Sequence, residues 1–359
     1  MQHPAKLDPL FETAKQLVID TKNPSITNLL RHMNVGFNRA ENLIKAMEGE
    51  IITPHHRTGR WTMLHGETYD TRRNPYWDGC SGWIWRDNEI PLAYAHIAVR
   101  CFSKRGREKA RNEDAIMLPG LYRQGTVRIH GYLDGSEAHY FAIADGVSSS
   151  AVPSWASVRL LSLLRRLLTE AQTDASISEL LHHLQKKYAT DNDRPEHFGM
   201  ASTLVGARLM GNTATIFNVG DSRAYLLTDG ANGCQAQLLS RDHNLLNDML
   251  DDGDITPDEA KNAASIYRGL TSQFINDPAY DELQVNVVTH TLQNGERLLL
   301  CSDGLNEVLS DADIGELFAE NSDETLLKAY IATRSAGGVD DFSVIVIEAI
   351  NFDVNLAPI

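Results

Sequence analysis

Apolar positions fall into three regimes along the 359-residue chain. In the first, Leu10, Ala14, Leu17 and Val18 recur at helical spacing, with Asp8-Pro9 as N-cap and first helical residue and Asn23-Pro24 as the stop. Ser25 or Thr27 can cap a second helix through Leu29, Leu30 and Met33. After the turn Asn34-Val-Gly36, a third runs from Asn38 through Leu43, Ile44 and Met47. Two short helices around a Gly-containing turn predict a helix-turn-helix. Ile51-Ile52 and Trp61-Thr-Met-Leu64 then read as strands on either side of the basic tip Pro54-His-His-Arg-Thr-Gly-Arg60, which is a wing. In the second regime, residues 66–92, no period survives, and the grouped Trp77, Trp83 and Trp85 read as a segment docked on a neighbour.

The third regime, from about residue 93, alternates short apolar runs with leucine-rich helices. Strands are predicted near Ala95–Phe102, Tyr140–Ala144, Thr203–Met210, Thr213–Val219, Ala224–Leu227 and Gln237–Leu239. Helices are predicted at Pro153–Ala171, apolar at Leu160, Leu161, Leu164, Leu167 and Leu168, and after the capping box Ser176-x-x-Glu179. Residues 244–290 interrupt the strands. Their acidic loop lacks EF-hand spacing, so Thr256-Pro257 reads as a helix cap.

Several of these strands end on acids. Tyr140-Phe-Ala-Ile-Ala-Asp-Gly146 delivers Asp145 at the end of a buried run, where an uncompensated carboxylate costs several kcal/mol. The pattern recurs at Arg297-Leu-Leu-Leu-Cys-Ser-Asp-Gly304 and, read as a hairpin corner, at Val219-Gly-Asp-Ser222. It is inverted at Val339-Asp-Asp-Phe342, and Asn112-Glu-Asp114 lies upstream. One such Asp-Gly is commonly only a turn. Several together suit hard divalent cations, which prefer oxygen ligands, and point to Mg²⁺ or Mn²⁺.

The order of these stretches carries a resemblance. Lys109-Ala-Arg-Asn-Glu-Asp114, Ala144-Asp-Gly146, Ala201-Ser-Thr-Leu204, Val219-Gly-Asp-Ser-Arg223, Leu239-Ser-Arg-Asp-His243, Cys301-Ser-Asp-Gly-Leu305 and Asp340-Asp-Phe-Ser343 make residues 93–350 resemble the metal-dependent protein phosphatases of the type 2C class. The resemblance implies an α+β fold, an αββα four-layer sandwich of two antiparallel sheets flanked by helices, with 244–290 as the flap. It also implies two metal ions, with a looser third. Asp145 would bridge the two with the Gly146 carbonyl as a further ligand, Asp114, Asp303 and Asp340 would hold them, Glu113 would act through water, and Asp221 would help hold the third. The substrate implied is a phosphoserine or phosphothreonine protein made by a cognate kinase.

Some positions depart from that family's pattern. Lys109 stands where the family carries the phosphate-holding Arg, so charge is kept without a bidentate fork, and Arg107 or Arg111 can supplement it. Val147 replaces a His proposed as acid, leaving a bound water or His243 for that role, although His243 also reads as a structural hydrogen-bonder. Ser148-Ser149 replace Gly-Gly, and Asp341 replaces Asn.

Residues 9–64, through Leu30-Arg-His-Met-Asn-Val-Gly-Phe-Asn-Arg-Ala40, resemble the winged-helix gamma domain of the FtsK translocase. That likeness implies a helix opening with Asn38, Arg39 and Asn42 in the major groove of duplex DNA, with Arg57 and Arg60 on phosphates. Charge agrees in direction. Net charge is −15, yet residues 1–65 carry eight Lys/Arg against six Asp/Glu, or +2, leaving −17 for the remainder. So small an excess expects weak single-domain binding, reinforced by oligomerisation or tandem sites.

Four widely spaced cysteines indicate neither a disulfide framework nor a zinc site, and no apolar run spans a bilayer, so no membrane partner is expected. The expected location is the cytoplasm, at the nucleoid if DNA is held. Three units are expected: 1–64, 65–92 and 93–359. The function expected is a metal-dependent serine/threonine phosphoprotein phosphatase tethered to a DNA-binding domain. The alternative is a DNA-binding regulator whose phosphatase-like domain only senses a ligand.

Overall fold

A computed structural model describes residues 8–21, 29, 33, 39–40, 43–44, 47, 52–54, 61–63, 83–86, 96–133, 138–170, 176–190, 194–230, 233–260, 267 and 269–350. The chain divides into two compact units, Met1–Tyr69 and Asp70–Ile359.

In the first unit the helix Phe11–Thr21 follows Asp8, whose side chain accepts the Leu10 N–H at 2.9 Å. Its apolar stripe of Phe11, Ala14 and Val18 is buried with Leu29, Ala40, Leu43, Ile44 and Met47 in one cluster. The predicted wing strands form an antiparallel pair, β1 (Ile52–Pro54) and β2 (Trp61–Met63), with Ile52 opposite Met63.

The second unit carries β3 (Trp83–Arg86), β4 (Ile97–Lys104), β5 (Asp114–Leu118), β6 (Leu121–Gln124), β7 (Val127–Leu133) and β8 (His139–Asp145). It continues with β9 (Ala201–Ser202), β10 (Leu204–Met210), β11 (Thr213–Val219), β12 (Arg223–Gly230), β13 (Gly233–Leu238), β14 (Phe274–Ile275), β15 (Asn286–Thr291), β16 (Arg297–Cys301) and β17 (Phe342–Ala349). One sheet has the order β15-β11-β10-β8-β5-β6 and the other β13-β12-β16-β17-β4-β7-β3.

The expected four layers follow from how each strand divides its side chains. Ile116, Ile143, Val205 and Ile216 of the first sheet meet Val99, Leu226, Leu298 and Ile345 of the second in one buried cluster. Alternate residues Ala115, Met117, Ala142 and Ala144 pack under the helices Pro153–Glu170 and Ile177–Ala189 through Leu160, Leu164, Leu181 and Tyr188. Phe102, Leu299, Val344 and Val346 pack under the helices Asp311–Leu317 and Asp323–Ser335 through Ile314, Phe318 and Leu326. Burial on both faces explains why strands such as Arg297–Cys301 read as unbroken apolar runs instead of alternating. Each buried Leu, Ile or Phe contributes about 1.5–3 kcal/mol.

Two sequence readings are corrected, and the docked aromatic stretch takes a definite form. The interruption at 244–290 ends earlier than expected, because β15 pairs with β11 along the sheet edge, Thr213 opposite Thr291. The Gly220-Asp221 corner is not a hairpin: β11 and β12 belong to different sheets, and the chain crosses between them there. The aromatic stretch 66–92 contributes β3, which joins the second sheet parallel to β7, Trp83 opposite Ile129, while among the described residues the other pairings in the two large sheets are antiparallel.

Candidate metal and phosphate site

The acids meet because of strand ends. β5 and β8 are antiparallel neighbours, so Asp114, which opens one, lies directly opposite Asp145, which closes the other. In the facing sheet β16 and β17 are likewise antiparallel, with Cys301 opposite Val344, so Asp303 just past one and Asp340-Asp341 just before the other share an end. The corner from β11 to β12 places Asp221 at the same end, since Leu204 pairs with Val219 and Arg223 with Cys301. The loop from β4 to β5 also crosses between the sheets there, carrying Lys109 and Glu113.

Crowding so many carboxylates in a dry place disfavours their charged forms. Burial, and then the charge of Asp341, pushes Asp114 up to about 7. Burial raises Asp145 well above the usual carboxylate range, reinforced by Asp114, Asp303, Asp340 and Asp221. Asp303 is raised in the same way by burial and then by Asp221, Asp340 and Asp114. Asp221 goes to about 6, through burial and then Asp242. The Oδ1 atoms of Asp114 and Asp303 are buried with no hydrogen-bond partner. A hard divalent cation is the group whose charge and oxygen preference fit orphaned, mutually repelling carboxylate oxygens. Among the described residues, no three Asp, Glu, His or Cys side chains close on one point as a ready-made cage. An Mg²⁺-type ion does not need one, because it takes one or two carboxylates and keeps several waters. On this observation Asp114, Asp145, Asp303 and Asp340 fit as holders.

Supporting contacts hold Asp114 and the backbone at Asp145 and Asp340. Ser302 Oγ donates to Asp114 Oδ2 at 2.8 Å and accepts the Ser343 N–H at 3.1 Å, tying the two sheets together under the acids. The Asp145 carbonyl accepts Thr203 N–H at 2.8 Å and Ser202 Oγ at 2.9 Å. Gly146 bridges to Ser202, and its N–H donates to the Glu113 carbonyl at 3.1 Å. No side chain fits at Gly146 or Gly304, since a Cβ would overlap the Pro153 carbonyl or the Asp341 carbonyl. Arg334, buried at the end of its helix, donates to the Gly338 and Asp340 carbonyls at 2.7 and 2.6 Å and so sets the approach to β17. Neither Ser302 nor Arg334 was singled out from sequence. Ser302 precedes an acid in the Cys-Ser-Asp-Gly stretch, which is a usable signal, whereas Arg334 gives none.

Some of the remaining site candidates fall within the described residues. Asp341 accepts Gly106 N–H at 2.6 Å and Glu113 N–H at 2.7 Å, so it clamps the loop that carries Lys109. His243 is buried against Gly220, accepting its N–H at Nδ1 (3.1 Å), and burial lowers its pKa; it holds the Asp221 corner. Arg223 forks onto Asp242 at 2.7 to 3.1 Å beside that corner. Arg107 and Arg111 are exposed. Lys109 is instead gathered into the acids: its Nζ lies 2.5 Å from Glu113 Oε2 and 3.0 Å from Asp340 Oδ1, and donates to Ser148 Oγ. In the first unit Arg39 is held by both oxygens of Asp8, at 2.7 and 2.8 Å, and the pair holds the Asp8 carboxyl down to about 2. Asn38, Asn42, Arg57 and Arg60 lie outside the described residues.

Known proteins resemble both parts of the chain. Residues 5–65 match the Ftsk gamma domain profile. The Mycobacterium tuberculosis serine/threonine protein phosphatase PstP is 28% identical over 264 residues, covering 70% of this chain and 45% of PstP, so the chain spans less than half of that relative's length. Streptococcus pneumoniae protein phosphatase PhpP is 28% identical over 229 residues, covering 60% of this chain and 88% of PhpP. Among solved structures, the S. agalactiae serine/threonine phosphatase superposes with a TM-score of 0.57 at 20% identity, over 71% of this chain and 100% of that one. The PstP catalytic domain in complex with two manganese ions gives 0.53 at 24% identity, over 71% and 100%. At these identities the superpositions establish the fold. The Protein phosphatase 2C profile matches residues 128–330, more than half of the sequence, and the chain belongs to the protein phosphatase 2C family.

Proposed function

We propose that the protein is a Mn²⁺- or Mg²⁺-dependent serine/threonine phosphoprotein phosphatase. The observation that carries this reading is the set of carboxylates from both sheets, raised by burial and mutual repulsion, with Asp114 Oδ1 and Asp303 Oδ1 left without partners. Asp145 stands between Asp114 on its own sheet and Asp303 and Asp340 from the other, and its pKa responds to all three. Metal ions bound there would supply a hydroxide-like water near neutral pH and neutralise the phosphoryl oxygens. Asp114, Asp145, Asp303 and Asp340 would hold them, with the Gly146 carbonyl beside Asp145 and with Asp221 at the crossing for a looser third. Lys109, which reaches Asp340, is the cation proposed to orient a phosphate, and Arg107 and Arg111 are exposed on the same loop. Buried and directed at the Gly220 backbone, His243 does not serve as the acid, which leaves a bound water to protonate the leaving oxygen.

The amino-terminal unit is proposed to bring this activity to duplex DNA, supported by the Ftsk gamma match, the paired wing strands and the local +2 charge. The test of the enzymatic reading is phosphate release from phosphothreonine peptides by chelator-treated protein before and after Mn²⁺ is restored. Release that needs Mn²⁺ and disappears in Asp145→Asn supports it. Metal-loaded protein that leaves every phosphopeptide intact moves the chain to the ligand-sensing alternative.

A further inference from the structure

Two departures from the family's sequence pattern meet in space. Lys109 stands in place of Arg and Ser148 in place of Gly, and the Lys109 ammonium donates to Ser148 Oγ while Ser148 Oγ donates to Glu113 Oε2 at 2.8 Å. The same ammonium lies 2.5 Å from Glu113 Oε2 and 3.0 Å from Asp340 Oδ1. Lys109 thus ties together three stretches that are far apart in sequence: its own loop, the turn after β8 and the entry to β17. Its side chain is only 15% exposed, and those of Glu113 and Asp340 are 16% and 28% exposed. An ammonium held this way is not presented to an incoming phosphate. It satisfies carboxylates that would otherwise repel one another.

We infer that Lys109 is a resident counter-ion for the outer part of the acid cluster, one that gives up Glu113 and Asp340 when a divalent cation binds and is then released to hold the substrate phosphate. This rests on the metal-dependent reading above and deepens it. The lysine competes with the ion for the same oxygens, so metal affinity is lower than the carboxylates alone would give. Phosphate grip becomes conditional on metal loading. A lysine suits such an exchange because its charge is compact and its four-carbon stem flexible, whereas the planar fork of an arginine favours fixed bidentate contacts. Ser148 supplies the uncharged rest position that glycine cannot.

The test reads Lys109 directly in the wild-type protein. Chelator-treated, Mn²⁺-loaded, and Mn²⁺-plus-inorganic-phosphate samples are exposed briefly to limiting acetic anhydride, and modification at Lys109 is measured by peptide mass spectrometry against the exposed Lys186. The inference expects little modification without metal, a rise of about threefold or more on Mn²⁺ loading, and renewed protection by phosphate only when Mn²⁺ is present. Equilibrium binding of Mn²⁺ supplies the second readout: Lys109→Met should bind Mn²⁺ about tenfold or more tightly than wild type, and Lys109→Arg should not. Mn²⁺ that binds without changing Lys109 reactivity, or no more tightly to Lys109→Met, overturns the exchange while leaving the phosphatase reading intact. Labelling that rises with Mn²⁺ but ignores phosphate overturns the proposed release to substrate. If no Mn²⁺ binds at all, both readings fall.

Discussion

Replacing Asp114 by Asn separates what the acid cluster costs the metal-free protein from what it provides. Asp114 is fully buried; Oδ2 accepts from Ser302 and Oδ1 has no partner. Its pKa is raised from 3.8 to about 7 by burial and the charge of Asp341. About three units at 1.36 kcal/mol each set a ceiling of roughly 4 kcal/mol on the strain of its charged form above pH 7. The amide keeps one oxygen to accept from Ser302 but places an unpaired NH₂ at the orphan position, which costs about 1–3 kcal/mol. Coupling among the acids reduces the gain further, leaving metal-free Asp114→Asn more stable than wild type by on the order of 1–2 kcal/mol, or roughly 5 °C in Tm.

The sign is fixed by linkage. A carboxyl raised in the folded state contributes stability that is present below about pH 4 and is lost as pH rises through its folded pKa. Chelated wild type should therefore weaken between about pH 4 and 7, and the variant should weaken less over the same range. Mn²⁺ should reverse the ranking, stabilising wild type and scarcely affecting Asp114→Asn. The assay is thermal unfolding of chelated and Mn²⁺-loaded samples across pH. A chelated variant less stable than wild type at neutral pH, or one that keeps the full Mn²⁺ stabilisation, would refute the reasoning.

Two further outcomes are expected. Gly304→Ala forces a Cβ into the Asp341 carbonyl, so the entry to β17 must shift; this overpacking should cost about 1–3 kcal/mol or more in unfolding experiments and lower activity more than it lowers Tm would suggest, because Asp303 and Asp340 move with it. Asp8→Asn removes one charged partner of Arg39, and in a salt-controlled titration of residues-intact protein it should tighten duplex DNA binding, whereas Arg39→Ala should erase sequence preference at roughly 1–3 kcal/mol. Equal affinities in all three proteins would move this unit to a role other than reading DNA.

The acids were legible because a buried strand that stops on a carboxylate is an anomaly, and the layered core was legible because its strands and leucine-rich helices keep separate periods. What the acids touch was not. Ser302 to Asp114, Asp341 to Gly106 and Lys109 to Asp340 join residues far apart in the chain, and no local pattern reports such pairs. The same limit hid the crossing at Asp221, since Gly-Asp between two strands looks the same whether the strands share a sheet or not. It also hid β15, whose alternating burial gives it a weaker signal than the fully buried strands. Lys109 was read as a phosphate ligand from its motif position, and only the fold brings Ser148 and Asp340 to it.

The central claim is that carboxylates from the ends of both sheets form one metal centre, and anomalous diffraction from crystals soaked in Mn²⁺ tests it most directly. At least two anomalous peaks are expected at the shared end of the sandwich, with Asp145 contacting both and Asp114, Asp303 and Asp340 contacting one or the other. Anomalous density absent from that end, or present only at surface carboxylates such as Asp251 and Asp258, would contradict it.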